Sequence, residues 1–77
     1  MMEPNEIPAE LLTQMQWFSI RKKRDQLICQ TDFTQLVDSP LPQELIDEFK
    51  IYRATLRNIP QSYSNPEEVI WPQMPTL

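Results

Sequence analysis

The sequence has no glycine, no histidine and only one cysteine, and no long apolar run. Without glycine, every turn and helix stop falls to Asn, Asp, Ser or Pro. Without histidine, the commonest general base and metal ligand is missing. Cys29 alone cannot form an intrachain disulfide, and it offers too few ligands for a zinc cluster. One unpaired thiol fits a reducing compartment. No apolar stretch approaches the ~18 residues a membrane span requires, so no membrane role is expected. The opening Met1-Met2-Glu3-Pro4-Asn5-Glu6 is acidic and lacks the basic start of a signal peptide. Basic residues are outnumbered 7 to 11, for a net charge of −4. That balance argues against nucleic acid as a partner, because phosphate contacts need surplus Lys and Arg. At 77 residues the chain is one domain at most. A core of that size tolerates few buried polar groups, which argues against a deep catalytic site. The expectation is a non-enzymatic interaction protein with no cofactor and no metal.

Proline is abundant, with eight residues, and none falls between 9 and 39 or between 43 and 59. Proline breaks helix interiors, so these two windows are where helices can exist. The first predicts a helix over about 8–30, with Pro8 at its first position. Leu11, Met15 and Phe18 form one stripe at helical spacing. Ile20, Leu27 and Ile28 lie on a rotated face, with Trp17 and Arg24 between, so a bend near 17–20 is allowed. The second window is cleaner. Leu45, Phe49, Tyr52, Leu56 and Ile59 recur at steps of 4, 3, 4 and 3, the pattern of an amphipathic helix over about 42–58, ending ahead of Pro60. Its early carboxylates and later Lys50, Arg53 and Arg57 complement the helix dipole.

Between the windows, Asp32 with Gln35 has capping-box spacing, and a one-turn helix over 32–36 would tuck Phe33 or Leu36 against the helices. After a polar linker, Asn65-Pro66-Glu67 repeats the cap logic. Val69-Ile70-Trp71-Pro72 is too short for a long helix and is expected to run extended. Both helices are acidic early and basic late, which favours antiparallel over parallel pairing. The expected fold class is therefore all-α: an antiparallel two-helix hairpin over 1–60 with a capped interhelix loop, then a linker and extended Pro-rich arm over 61–77.

Arg21-Lys22-Lys23-Arg24 does not make a nucleic-acid patch, because four consecutive helical residues point in four directions. The scattered carboxylates lack a nucleophile or phosphate loop nearby and are read as caps and solubilising groups. Cys29 is read as a small core residue. Aromatic residues anchor interfaces disproportionately. Val69, Ile70 and Trp71, with Phe33 and Tyr63, are accordingly the candidate partner-binding residues, with core packing as the competing role.

Four blocks, in order, resemble the phage tail assembly chaperone family of tailed bacteriophages. Arg21-Lys22-Lys23-Arg24-Asp25-Gln26-Leu27-Ile28 is similar to its R-x-x-R-D-x-L-L helix. Thr31-Asp32-Phe33-Thr34-Gln35-Leu36-Val37-Asp38 resembles T-D-W-T-Q-L-P-D, with Phe33 in place of Trp and Val37 in place of Pro. Tyr52-Arg53-Ala54-Thr55-Leu56-Arg57-Asn58-Ile59-Pro60 resembles Y-R-Q-A-L-R-D-I-P, and Pro66-Glu67-Glu68-Val69-Ile70-Trp71-Pro72 resembles P-x-x-V-x-W-P. Residues 1–20 match none of these blocks. The resemblance implies structural roles for Arg21, Arg24, Asp25, Asp32, Asp38, Tyr52, Arg53, Leu56 and Arg57, with Arg53 or Arg57 reaching Asp32 or Asp38. It further implies a non-enzymatic assembly factor for a tail or tail-fibre protein, acting in the host cytoplasm. The alternative is a structural component retained in the virion's tail, baseplate or fibre. The oligomeric state is left open.

Overall fold

The computed structural model describes residues 7–77; the first six residues of the expected hairpin unit lie outside the described residues. Two long helices dominate. Helix α1 spans Ala9–Gln30 and α2 spans Gln43–Ser62, joined by a loop with a 3-10 turn at Asp32–Gln35. A second 3-10 turn, Pro66–Glu68, follows α2, and the rest of the described residues have no regular secondary structure. The protein is all-helical, as the proline spacing predicts.

Each helix begins just after a proline. The Pro8 carbonyl accepts the Leu12 N–H at 2.9 Å, and the Pro42 carbonyl accepts those of Leu45 and Ile46 at 3.0 and 3.1 Å. Pro8 thus caps α1 rather than occupying its first position, because its ψ of 143° is extended. No break interrupts α1 near residues 17–20.

The end of α2 differs from expectation. The helix continues through Pro60 to Ser62 instead of stopping near Asn58. Proline's fixed φ is itself helical. What it removes is the single hydrogen bond that the Leu56 carbonyl would accept from residue 60, and only Gln61 and Ser62 follow it in the helix.

The core is built by α2. Phe49, Tyr52, Leu56 and Ile59 are buried, and Leu45 is half-buried at the start of the same stripe. Glu48, Lys50, Thr55 and Arg57 on the other faces are exposed. Phe49 meets Tyr52 edge to face with ring centroids 6.4 Å apart. Burial pushes the Tyr52 phenol's pKa above its ordinary 10.0.

Helix α1 has no fully buried residue and contributes a half-buried face of Trp17, Ile20, Leu27 and Ile28. The stripe Leu11, Met15 and Phe18 is exposed. Cys29 is also exposed, contrary to the reading of it as a core residue. At 100° per residue it points well away from Leu27 and Ile28. The ion pairs among the described residues are Arg24–Asp25 and Arg53–Asp32, so α1 and α2 do not pair charges along their length. The shared charge polarity reflects each helix's own dipole.

Candidate protein-interaction site

The interhelix loop is organised by two threonines and one arginine. Thr31 and Thr34 are buried, three residues apart, so the 3-10 turn sets both on one side. The Thr34 hydroxyl donates to the Thr31 carbonyl at 2.6 Å. The Thr31 hydroxyl lies 2.8 Å from the Leu27 carbonyl, and its N–H points at the Leu27 and Ile28 carbonyls at 3.2 and 3.1 Å. Arg53 arrives from α2, only 6% exposed. Its Nη1 donates to the Ile28 carbonyl at 2.6 Å and to the Thr31 hydroxyl at 2.8 Å. Its Nη2 donates to Asp32 at 2.8 Å. A buried guanidinium is tolerable only when its donors are met, and among the described residues no buried side-chain nitrogen or oxygen lacks a partner.

This arrangement replaces the expected capping box. Asp32 caps no backbone N–H here; its carboxylate faces Arg53. Gln35 reaches the Thr34 hydroxyl and the Ile46 carbonyl of α2, at 3.1 and 3.0 Å. With the threonines inward, the apolar residues of the turn face out. Phe33 is 44% and Leu36 57% exposed, and Val37 is fully exposed, so neither Phe33 nor Leu36 tucks against the helices.

The chain after α2 folds back on the hairpin. Asn65 caps the second turn as expected, its Oδ1 accepting the Glu67 N–H at 3.1 Å. Pro66 is buried, and Val69 and Trp71 are half-buried against the core. Lys23 of α1 sits over the Trp71 ring, 4.4 Å from its centroid. The Tyr63 hydroxyl lies 3.4 Å from the Ile70 carbonyl, while the Ile70 side chain is 75% exposed. Further on, Gln73, Met74, Pro75 and Thr76 line an open cleft with Glu48 and Ile51 of α2.

The candidate partner residues therefore fall into two groups. Tyr63, Val69, Ile70 and Trp71 gather on the returning arm, where only Ile70 points mainly outward; Phe33 stands apart, on the interhelix loop. Of the residues expected in structural roles, Tyr52 and Leu56 are core, and Arg53 makes the contact to Asp32. Arg24 pairs with its neighbour Asp25 at 2.9 Å, and Arg21 lies over the Trp17 ring. Asp38 and Arg57 are exposed. Thr31, Thr34 and Pro66 are buried members of the assembly that residue type alone does not announce. Among the described residues no three carboxylates or thiols converge as a metal site requires, and no helix is long and apolar enough to cross a membrane.

The molecule is a small helical hairpin whose buried polar groups serve the fold and whose loop and arm present apolar side chains. The model of the phage tail assembly chaperone protein family matches residues 11–76, nearly the whole chain, and the protein belongs to that family. The match begins ten residues ahead of the first block recognised in the sequence, so it takes in the exposed first half of α1. No curated protein and no solved structure gives a match to this chain.

Proposed function

We propose that this protein is a non-enzymatic tail assembly chaperone that binds a tail or tail-fibre protein and shields or positions it until assembly, in the cytoplasm of the infected host. One observation carries the reading. The loop and arm hold Phe33, Leu36, Val37 and Ile70 outward, although the fold orders the backbone on either side of them. Apolar side chains presented on an ordered frame suit a protein partner better than solvent. The half-buried Trp71, Val69 and Tyr63 hold the arm in position, and its backbone, without regular secondary structure, has groups to offer a partner's strand or groove.

The test is a pull-down from infected cells with the wild type, with Ile70→Asp and Phe33→Asp, and with residues 66–77 deleted. The two point variants should recover less tail or tail-fibre protein and melt as the wild type does. The deletion should lower both binding and melting, because it also strips Pro66, Val69 and Trp71 from the core. Undiminished recovery with both point variants would refute the assignment of the surface. Mass spectrometry of purified particles separates a chaperone that departs from a component retained in the virion.

A further inference from the structure

The interhelix end of the molecule presents an ordered apolar group. In a 3-10 turn, residues three apart share a side. Thr31 and Thr34 face in, so Phe33 and Leu36 stand together facing out, 44 and 57% exposed, with Val37 the next residue along. Two bonds hold the group in place. The Ser39 N–H donates to the Leu36 carbonyl at 3.1 Å, and the Gln35 amide donates to the Ile46 carbonyl of α2 at 3.0 Å.

The same end carries charge of one sign. From Asp25 to Phe49 the chain has six carboxylates and no Lys or Arg. The rest of the chain holds all seven basic residues and only the other five of the 11 acidic ones. Asp25 and Asp32 are paired, with Arg24 and with the buried Arg53. Asp38, Glu44, Asp47 and Glu48 are exposed and make no ion pair among the described residues. Asp38 follows Val37 directly. The Gln35 contact sets the first turns of α2, with Glu44 and Asp47, beside the turn that carries Phe33. Lys50, one helical turn beyond Asp47, is the first cation along α2. It offsets Asp47 in part and leaves Asp38 and Glu44 unopposed.

We propose, resting on the chaperone function above, that the loop end docks a segment of the partner that is both apolar and basic. Its apolar side chains pack on Phe33, Leu36 and Val37, and its Lys or Arg lie beside Asp38 and Glu44. Phe33 is the anchor, as the aromatic residue of the turn. The carboxylates at its rim stay in water, so each adds little affinity. What they add is selection: they draw a basic segment in and turn an acidic one away.

The test is quantitative recovery of tail or tail-fibre protein from infected cells by the full chain. Asp38→Asn combined with Glu44→Gln should recover about three- to tenfold less than the wild type at low salt. In ~0.5 M salt, where exposed charges are screened, the wild type should fall toward that variant. Glu67→Gln with Glu68→Gln removes the same charge from the arm and should recover as the wild type does. Both pairs should keep the wild type's helical circular dichroism. Equal losses from the two pairs would make the effect one of net charge and overturn the proposal. So would full recovery by the Asp38, Glu44 variant while Phe33→Ser, which alters no charge, recovers less; that outcome leaves the chaperone reading standing. Full recovery by Phe33→Ser and Ile70→Asp as well removes that reading, and this proposal with it. Size-exclusion chromatography of the free chain checks one other occupant. A wild-type dimer that the Asp38, Glu44 variant no longer forms would put the Arg21–Arg24 run of a second copy on the loop, and also overturns the proposal.

Discussion

Arg53 is a charged side chain doing what a buried residue does in a larger core. Its three acceptors come from the end of α1 and from the turn that follows, so it joins both to α2. Removing it takes one partner each from the Ile28 carbonyl, the Thr31 hydroxyl and Asp32, and empties the space its buried side chain fills. Arg53→Ala should cost roughly 3 kcal/mol by urea denaturation, and Arg53→Lys most of that, since one ammonium cannot serve three acceptors in a fork. Asp32 has a 60% exposed side chain, so Asp32→Asn should cost no more than about 1 kcal/mol. A larger loss for Asp32→Asn than for Arg53→Ala would contradict this ordering. Tyr52 adds a pH dependence. Its folded pKa lies above 10.0 through burial, so the stability it contributes is complete below that pH and lost as pH rises toward the folded value. Melting temperature should therefore fall on alkaline titration, and Tyr52→Phe should flatten that fall relative to the wild type. Little of this was visible in the residue types. Thr31 and Thr34 are polar and read as surface; only the packing of Arg53 shows why they are buried. Cys29 reads as a small core residue and is exposed.

At the scale of elements, the two helices were unequally legible. The steps of 4, 3, 4 and 3 in α2 place its buried face correctly, because an apolar residue stands at every inward position. Phe49 is 1% exposed at the centre of that stripe, and Phe49→Ala should cost roughly 3–5 kcal/mol, enough to leave the chain largely unfolded at 25 °C. Wild-type melting of that variant would mean that the hairpin is held together elsewhere. The inward face of α1 runs Trp17, Ile20, Arg24, Leu27 and Thr31. A charge in its middle and a hydroxyl at its end break the apolar period, while Leu11, Met15 and Phe18 supply a more regular stripe that no helix of the hairpin covers. The end of α2 departs from the sequence pattern for another reason: proline's own φ is helical, and Pro60 removes one hydrogen bond with only two helical residues beyond it.

For the whole molecule, the long axis measures 59 Å against 18 and 17 Å across. A rod has much surface for its volume, and this chain's small core reflects that. Its apolar side chains are shared among the core, the outward loop and arm, and the exposed first half of α1. The all-helical architecture was legible, since proline spacing confines helices to two windows. The family was legible from four blocks of motif. The path of the arm was not, because Val69 and Trp71 have no periodicity to show which helix they return to.

The way α1 ends has a consequence for how the molecule comes together. With no glycine in the chain and no positive φ among the described residues, the helix lacks the usual left-handed terminator. Its last carbonyls are met instead by the Thr31 hydroxyl and by a guanidinium arriving from α2. Part of the stop signal for the first helix is thus lodged in the second, 25 residues downstream of the carbonyl it satisfies. Neither half is complete without the other. A chain lacking α2 keeps only the local Thr31 and Thr34 contacts to mark where α1 finishes. Helices, turn and loop should appear and disappear as a single cooperative unit, with no half-folded hairpin that outlives the contact between them.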